Sequence, residues 1–344
     1  FKFSIEKLVI VILMVTTLFS LSCTFDEEFD PNRPSLEGVL TDATVNQLNN
    51  LIVGIESGMR GGVAGQTTHT GTMARELYKF DADPRNTGDL LGANGATLDN
   101  NSFYSTSVWA SKYRTIKNAN ILLEALDNTT SVSVQEAAGY RGFARTVIAH
   151  QLIMLVKSYG LARVEVSDPT NLGPVLAEAD VLSQVSTILD SALSDLSAAG
   201  DSFSFPLAGF DGFDTPSTFS KFNRAVKAVA LVYSGNKTDA LAALSSSFFD
   251  LNGDLKTGPK HVFSLSAGDF VNGLYKIVDN NGDQIIVHNS FIADAEMCFV
   301  VFDILKELGF SVADYSTRIS NRKIQKEWRN HARITNLGKP STKK

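Results

Sequence analysis

Two consecutive stripes of side chains with helical spacing constrain the fold of this chain more than any other feature. One stripe lies in residues 109–123 and the other in residues 138–159, and in both the side chains recur about every three or four positions, which places them on one face of a helix. The stripes comprise Trp109, Tyr113, Ile116, Asn120 and Leu123, then Ala138, Arg141, Arg145, Ile148, Leu152, Leu155 and Tyr159. Glycine tolerates the left-handed backbone at which many helices end. The sequence therefore predicts two helices packed on each other along these faces, the second ending at Gly160.

The second stripe contains two arginines, Arg141 and Arg145. A guanidinium buried on a packing face without a partner would cost several kcal/mol. We therefore expect both side chains to bind carbonyl or carboxylate oxygens and interpret them as structural.

The beginning of the chain has the pattern of a secretory leader. Lys2 and Lys7 precede an uncharged run over residues 8–21, which is followed by Ser22 and Cys23. As a helix this run would span roughly 21 Å at about 1.5 Å per residue, less than the about 30 Å of a bilayer core. We therefore predict a signal peptide at residues 1–22 and lipid attachment at Cys23. The alternative is a leader cut nearby and an ordinary cysteine.

Three short motifs follow this leader along the sequence. Trp-x3-Tyr-Arg-x-Ile-x2-Ala-Asn at residues 109–120 is followed by Phe-Ala-Arg at 143–145 and Tyr-Gly at 159–160. Together they resemble the SusD/RagB family of Bacteroidetes outer-membrane nutrient-binding lipoproteins, and the resemblance covers about residues 23–296. It implies an all-α, tetratricopeptide-like helical-repeat (SusD-like) fold with long irregular loops.

The resemblance and the charge distribution together suggest the domain organisation. Residues 23–43 form an acidic, proline-containing tether, and residues 44–296 form the helical domain. Residues 297–344 hold ten Lys or Arg against four Asp or Glu, net +6, whereas residues 1–296 hold 21 against 33, net −12. Because the resemblance stops where the charge changes sign, we expect a chain truncated or frameshifted after about residue 296, and Phe1 in place of Met suggests an incomplete start. An authentic basic tail is the alternative.

Other periodic segments predict further helices at residues 44–57, 182–196, 222–233 and 238–244. The last two, joined by a turn at residues 234–237, resemble a tetratricopeptide-type hairpin. Residues 58–105 lose periodicity and are expected to form a long loop region. The Phe- and Gly-rich insert at residues 200–219 is expected to form a lip of the binding surface.

The composition and motifs disfavour several classes of function. A net charge of −6 does not suit a nucleic-acid-binding surface. The five histidines show no metal-binding spacing, and residues 250–261 depart from a calcium loop because Leu255 and His261 occupy the positions of its glycine and its bidentate acid. We predict no catalytic residue, no metal and no cofactor.

The loop region contains the candidate ligand-binding residues Tyr78, Asp81 and Tyr104. Aromatic rings offer an apolar face to a sugar ring, and nearby polar groups offer directed hydrogen bonds. We expect these aromatic side chains to be presented to solvent. The alternative is that the rings only fix the loop to the helices.

The resemblance implies a lipid-anchored protein of the outer membrane that faces the cell exterior. It would bind a glycan or oligosaccharide and deliver it to a SusC-like TonB-dependent transporter. Two alternatives remain open, which are an anchored helical scaffold for protein partners and an outer-membrane glycosidase.

Cys23→Ala is predicted to release the protein from the membrane fraction, because the leader is too short to span the membrane and Cys23 would carry the anchor. Fractionation and immunoblotting measure the change, with Cys298→Ala as the matched control. Equal membrane retention of both variants would contradict the prediction.

Overall fold

A computed structural model describes residues 36–79, 83–254, 256–266, 269, 271–275 and 285–287. The predicted signal peptide, Cys23, Asp81 and the basic tail therefore lie outside the described residues. Within the described part most residues are helical, and the expected all-α class is confirmed.

The helices are α1 Leu36–Asp42, α2 Val45–Arg60, α3 Val63–Met73, α4 Arg85–Gly88, α5 Phe103–Asn128, α6 Val134–Tyr159, α7 Glu178–Ala198, α8 Pro216–Tyr233 and α9 Lys237–Ser245. A short 3-10 helix spans Ala93–Gly95. The strands are β1 Leu77–Lys79, β2 Leu161–Ala162, β3 Leu176–Ala177 and β4 Ile285–Val287. They form two antiparallel pairs, β1 with β4 and β2 with β3.

Helix α6 is the centre of the hydrophobic core. It packs against α5, α7 and α8, and its side chains are buried on nearly every face. Small residues permit this close packing, most clearly at Gly142, where an added Cβ would lie 2.6 Å from Cγ of Leu196 in α7. An apolar stripe alone underestimates how much of α6 is buried.

The predicted helix pair is confirmed, although the buried face of α5 differs from the predicted stripe. Gly160 ends α6 with a φ of 69°, and its N–H donates to the carbonyl of Val156. On α5 the fully buried positions include Thr115, Ala119 and Leu122, whereas Trp109 of the predicted stripe is only half-buried. The prediction favoured the largest side chains, but small residues let α5 approach its neighbours closely.

Both arginines of the second stripe find the oxygen partners expected of them. Arg141 Nη2 donates to Asp127 Oδ1 at 2.9 Å and to the Leu126 carbonyl at 3.4 Å. Arg145 forms an ion pair with Asp195 of α7. The two side chains therefore tie α6 to α5 and α7.

The Phe-rich insert belongs to the core, and the expectation of a lip on the binding surface is wrong. Phe205, Phe210, Phe213 and Phe219 are all buried. The rings of Phe205 and Phe219 lie 5.8 Å and 5.5 Å from that of Phe143 in α6. The insert therefore covers one side of the central helix.

The expected long loop contains a helix, α3, and the expectation is wrong for residues 63–73. Three threonine hydroxyls donate to the carbonyls four residues earlier, those of Thr67, Thr70 and Thr72 at 2.7 to 2.9 Å. These bonds satisfy the hydroxyl groups within the helix. Because α3 has no apolar stripe, periodicity does not detect it.

The predicted helices at the carboxyl side of the core are confirmed as α7, α8 and α9. Helices α8 and α9 form a hairpin around Gly235, whose φ is 77°. Ala228, Leu231, Ala240 and Ala243 fill its crossing point. Among the described helices none is long and apolar enough to cross a membrane.

Leu152→Ala is expected to lower the free energy of unfolding by about 2 to 5 kcal/mol, because it leaves a cavity in the core around a fully buried side chain. Chemical denaturation measures the change. Leu241→Ala is the control, since Leu241 is 67% exposed, and its effect should stay within about 0.5 kcal/mol. Equal effects of the two substitutions would show that Leu152 is not in the core.

Candidate functional site

A cavity of about 580 Å³ lies between α3, the segment before α5, the first turns of α5 and the end of α6. We call it the aromatic cavity. Its lining residues are Gln66, His69, Thr70, Met73, Leu98, Asn100, Tyr104, Ser105, Thr106, Val108, Trp109, Ala110, Ser158 and Tyr159. Within the described part of the chain, this lining contains four aromatic rings and no Asp, Glu, Lys or Arg.

The four rings form two edge-to-face pairs. His69 and Tyr104 are buried, with ring centroids 4.7 Å apart. Trp109 and Tyr159 are half-buried, with centroids 5.2 Å apart, and the Tyr159 hydroxyl donates to the Ser105 carbonyl at 2.6 Å. The first pair therefore supports the wall, and the second pair offers accessible ring surface to the cavity.

Tyr104 is not presented to solvent from a loop, and this expectation is wrong. It lies in the first turn of α5, which is capped by Ser102, and only 4% of its surface is exposed. Its hydroxyl hydrogen-bonds to Oδ1 of Asn86, and Lys79 Nζ lies 5.4 Å from the ring centroid. Tyr104 therefore contributes to the cavity wall but has a structural role as well.

Of the other two predicted binding residues, the structure describes only Tyr78. Tyr78 is half-buried in β1, opposite Ile286 of β4, and it is not one of the residues that line the aromatic cavity. Asp81 lies outside the described residues. A ligand-binding role for Tyr78 and Asp81 stays a prediction.

Sequence reasoning missed Trp109, Tyr159, Gln66 and His69 as site residues. The sequence pattern places Trp109 and Tyr159 on the packing faces of the helix pair. Gln66 and His69 belong to a segment that is expected to be a loop. A signal was available, because Trp109 and Tyr159 are large aromatic residues near the ends of consecutive antiparallel helices. Side chains in such positions lie at one end of the pair, where a cavity can open.

Two polar atoms in the cavity wall lack a hydrogen-bond partner among the described residues. They are Oε1 of Gln66 and Nδ1 of His69, while Nε2 of Gln66 donates to Oγ of Ser158 at 2.6 Å. Burial lowers the pKa of His69, so its imidazole is neutral at neutral pH and has one donor and one acceptor nitrogen. Both unpartnered atoms are themselves buried, so Gln66 and His69 add no charge to the wall and do not expose these two atoms to the cavity.

A larger groove of about 840 Å³ between α7, α8 and α9 has a different character. Its central carboxylate, Asp190, is bound by Arg224 Nη1 at 3.0 Å and by Lys227 Nζ at 2.5 Å. Burial raises the pKa of Asp190, but the hydrogen bonds from these two cations outweigh that effect and lower it. The carboxylate bridges the two cations, and we interpret the cluster as structural.

A small cavity of about 100 Å³ is lined by His150, His261 and Glu56, among other residues. Burial, with the nearby His261, Lys112 and Lys157, lowers the pKa of His150 to about 4. No group of three or more His, Cys, Asp or Glu residues in the described ranges is placed to hold a metal ion. At residues 250–254, the rejected calcium loop, the N–H of Gly253 donates to the Asp250 carbonyl at 3.2 Å, as in a turn.

Comparison with known proteins gives little similarity. No family model matches the sequence, and no curated protein matches it. A solved structure of a SusD-like carbohydrate-binding protein from Bacteroides fragilis shares 15% sequence identity, with a TM-score of 0.35. The alignment covers 53% of this chain and 39% of that chain, so this chain matches less than half the length of that protein. This similarity is too low to assign a function or a binding residue.

The stability of the protein is expected to fall as the pH decreases from about 6.5 to about 4. In this window the unfolded chain binds a proton at His150, while the folded chain, with its lowered pKa, does not. His150 can contribute at most about 1.4 kcal/mol per pH unit to the slope of the free energy of unfolding against pH. Denaturation at several pH values should show a weaker dependence in His150→Gln, and an unchanged dependence would contradict the lowered pKa.

Proposed function

We propose that this protein binds a neutral saccharide in the aromatic cavity. The observation that carries the proposal is a mostly apolar lining with aromatic rings, in which the polar groups are amides and hydroxyls and no side chain among the described residues carries a fixed charge. Saccharides require the same combination, because their rings have apolar faces and their edges carry hydroxyl groups.

The accessible rings of Trp109 and Tyr159 supply the apolar part of such a site. Covering apolar surface is worth about 25 cal/mol per Å² before the cost of ordering the ligand is subtracted. A flat sugar face placed on an indole ring would cover surface on both partners. The half-buried state of Trp109 is suited to this role, because the ring is held by its neighbours and still reaches the cavity.

Polar groups around the rings would bind the sugar hydroxyls. Asn100 and Thr70 are exposed at the cavity. The amide of Asn100 can donate and accept, and the Thr70 hydroxyl, which donates to the Gln66 carbonyl at 2.7 Å, can still accept. These residues favour a ligand with several hydroxyl groups over a wholly apolar one.

Binding is favoured over hydrolysis at this site. Glycosidases generally use two carboxylates about 5 to 9.5 Å apart, whereas the lining of the aromatic cavity, as far as the structure describes it, includes no Asp or Glu. The proposed activity is therefore capture of the saccharide without cleavage.

The cellular part of the proposal is supported by the sequence. The leader, Cys23 and the motifs at residues 109–120 resemble those of SusD/RagB lipoproteins. We accordingly place the protein at the outer membrane, anchored by lipid at Cys23 and facing the exterior. Its partner would be a SusC-like TonB-dependent transporter, to which it delivers the glycan.

Glycan-array screening followed by calorimetry tests the proposal. Trp109→Ala should weaken binding at least tenfold, because it removes the accessible ring, and Asn100→Ala should weaken it because a hydrogen bond is lost. Asn101→Ala is the matched control, since this exposed neighbour does not line the cavity. Circular dichroism should confirm that each variant is folded.

Three results would contradict the proposal. Equal affinities of wild type, Trp109→Ala and Asn100→Ala would place the site elsewhere. An array without any bound glycan would favour the protein-scaffold alternative. Release of reducing sugar would show that the protein is a glycosidase.

A further inference from the structure

A second cavity of about 550 Å³ continues along α5 beyond the aromatic cavity. We call it the aliphatic cavity. It is lined by Leu36, Leu40, Trp109, Tyr113, Lys117, Asn120, Ile121, Glu124, Arg163, Val166, Ser167, Pro169 and Leu172. Trp109 lines both cavities, so the two spaces lie next to the same half-buried residue.

The two cavities differ in chemistry. Six of the residues around the aliphatic cavity are Leu, Ile, Val or Pro, and at its edge Leu36 and Leu172 are 53% and 49% exposed. Apolar surface grouped in a concave site gains free energy when an apolar partner covers it. The aliphatic side chains are suited to a hydrocarbon group, and Lys117, Glu124 and Arg163 bring charged groups to the same lining. The aromatic cavity instead takes much of its apolar surface from rings, and its lining among the described residues holds no Asp, Glu, Lys or Arg.

Two of the polar side chains in the aliphatic cavity already have partners. The Tyr113 hydroxyl accepts from the N–H of Arg163 at 2.6 Å and donates to its carbonyl at 3.0 Å. The guanidinium of Arg163 donates to the carbonyl of Gly173. These bonds hold both side chains in the wall of the aliphatic cavity.

The geometry of α5 connects the two sites. Tyr104 is the first residue of α5 that lines the aromatic cavity, and Glu124 is the last residue of α5 that lines the aliphatic cavity. At about 1.5 Å per residue these positions are roughly 30 Å apart along the helix. A ligand in the aromatic cavity that extends past Trp109 would therefore enter the aliphatic cavity.

From this arrangement we infer that the ligand is an amphiphilic glycan, a saccharide that carries a covalently attached alkyl or aryl group. The saccharide occupies the aromatic cavity and the apolar group occupies the aliphatic cavity, with Trp109 between them. This inference rests on the proposed saccharide-binding function and adds the class of substituent that the ligand carries.

Calorimetry with pairs of simple glycosides tests the inference. The probes are methyl and hexyl glycosides of glucose, galactose, mannose, xylose and N-acetylglucosamine, each used below its micelle-forming concentration. For at least one sugar, the hexyl glycoside should bind at least tenfold more tightly than the methyl glycoside. Titration with 1-hexanol measures any affinity for the alkyl group alone.

Substitutions locate the gain in affinity. Leu172→Ser and Ile121→Ser should each reduce the hexyl-over-methyl ratio at least threefold while leaving the methyl affinity unchanged. Leu172 is about half exposed, so its replacement does not open the core. Leu241→Ser, which removes an exposed leucine of α9, is the matched control and should keep the full ratio.

The possible failures are distinguishable. The inference would be overturned if the methyl and hexyl glycosides of every sugar bound equally well, or if none of them bound. The glycan array would still test the proposed saccharide binding independently. A hexyl gain that persists in both Leu172→Ser and Ile121→Ser would also overturn it. In a third outcome, 1-hexanol binds as tightly as the hexyl glycosides, and Asn100→Ala does not change the affinity for those glycosides. This outcome would overturn the inference and the proposed saccharide site together.

Discussion

The close contact between Gly142 of α6 and Leu196 of α7 is the constraint on which the rest of the structure depends. Because a side chain at position 142 would collide with Leu196, the glycine there lets α7 approach closely, and α6 can be enclosed by helices and by the Phe-rich insert. An enclosed α6 has a fixed direction, which determines where it ends at Gly160 and where Tyr159 meets Trp109 of α5. The geometry of the aromatic cavity thus follows from packing well inside the molecule.

Sequence reasoning found the elements whose signals are local. A glycine with positive φ ends α6 as expected, and the apolar stripes identify their helices. The sequence also predicts that Arg141 and Arg145 bind oxygen atoms, but not which residues supply them. Sequence reasoning missed α3, whose threonines satisfy their hydroxyls within the helix and leave no apolar stripe. It also misplaced the insert at residues 200–219, because phenylalanines among glycines are compatible with either an exposed lip or a core, and only tertiary packing distinguishes these.

The candidate site was predictable in its chemistry more than in its residues. Aromatic rings near polar side chains are expected from the sequence, with Trp109 buried and Tyr104 exposed. In the structure Tyr104 is the buried residue and Trp109 is only half-buried. Which side of a helix is buried depends on the neighbours that cover it, and these come from distant parts of the sequence. Tyr104 is covered by α3 and by Asn86, neither of which has a signal that links it to α5. Trp109 remains accessible because small residues form the close contacts of α5.

The pairing of β1 with β4 affects the order in which the protein can be completed. Leu77 pairs with Val287, and Arg60 at the end of α2 binds the carbonyl of Val262 and the carboxylate of Asp269. The segment that contains α3 is therefore joined at both ends to chain made much later. The central helices pack on neighbours that are closer in sequence, whereas these contacts close loops of roughly 200 residues, which are slow to form. The cavity wall formed by α3 would therefore be the last part of the site to take its final position.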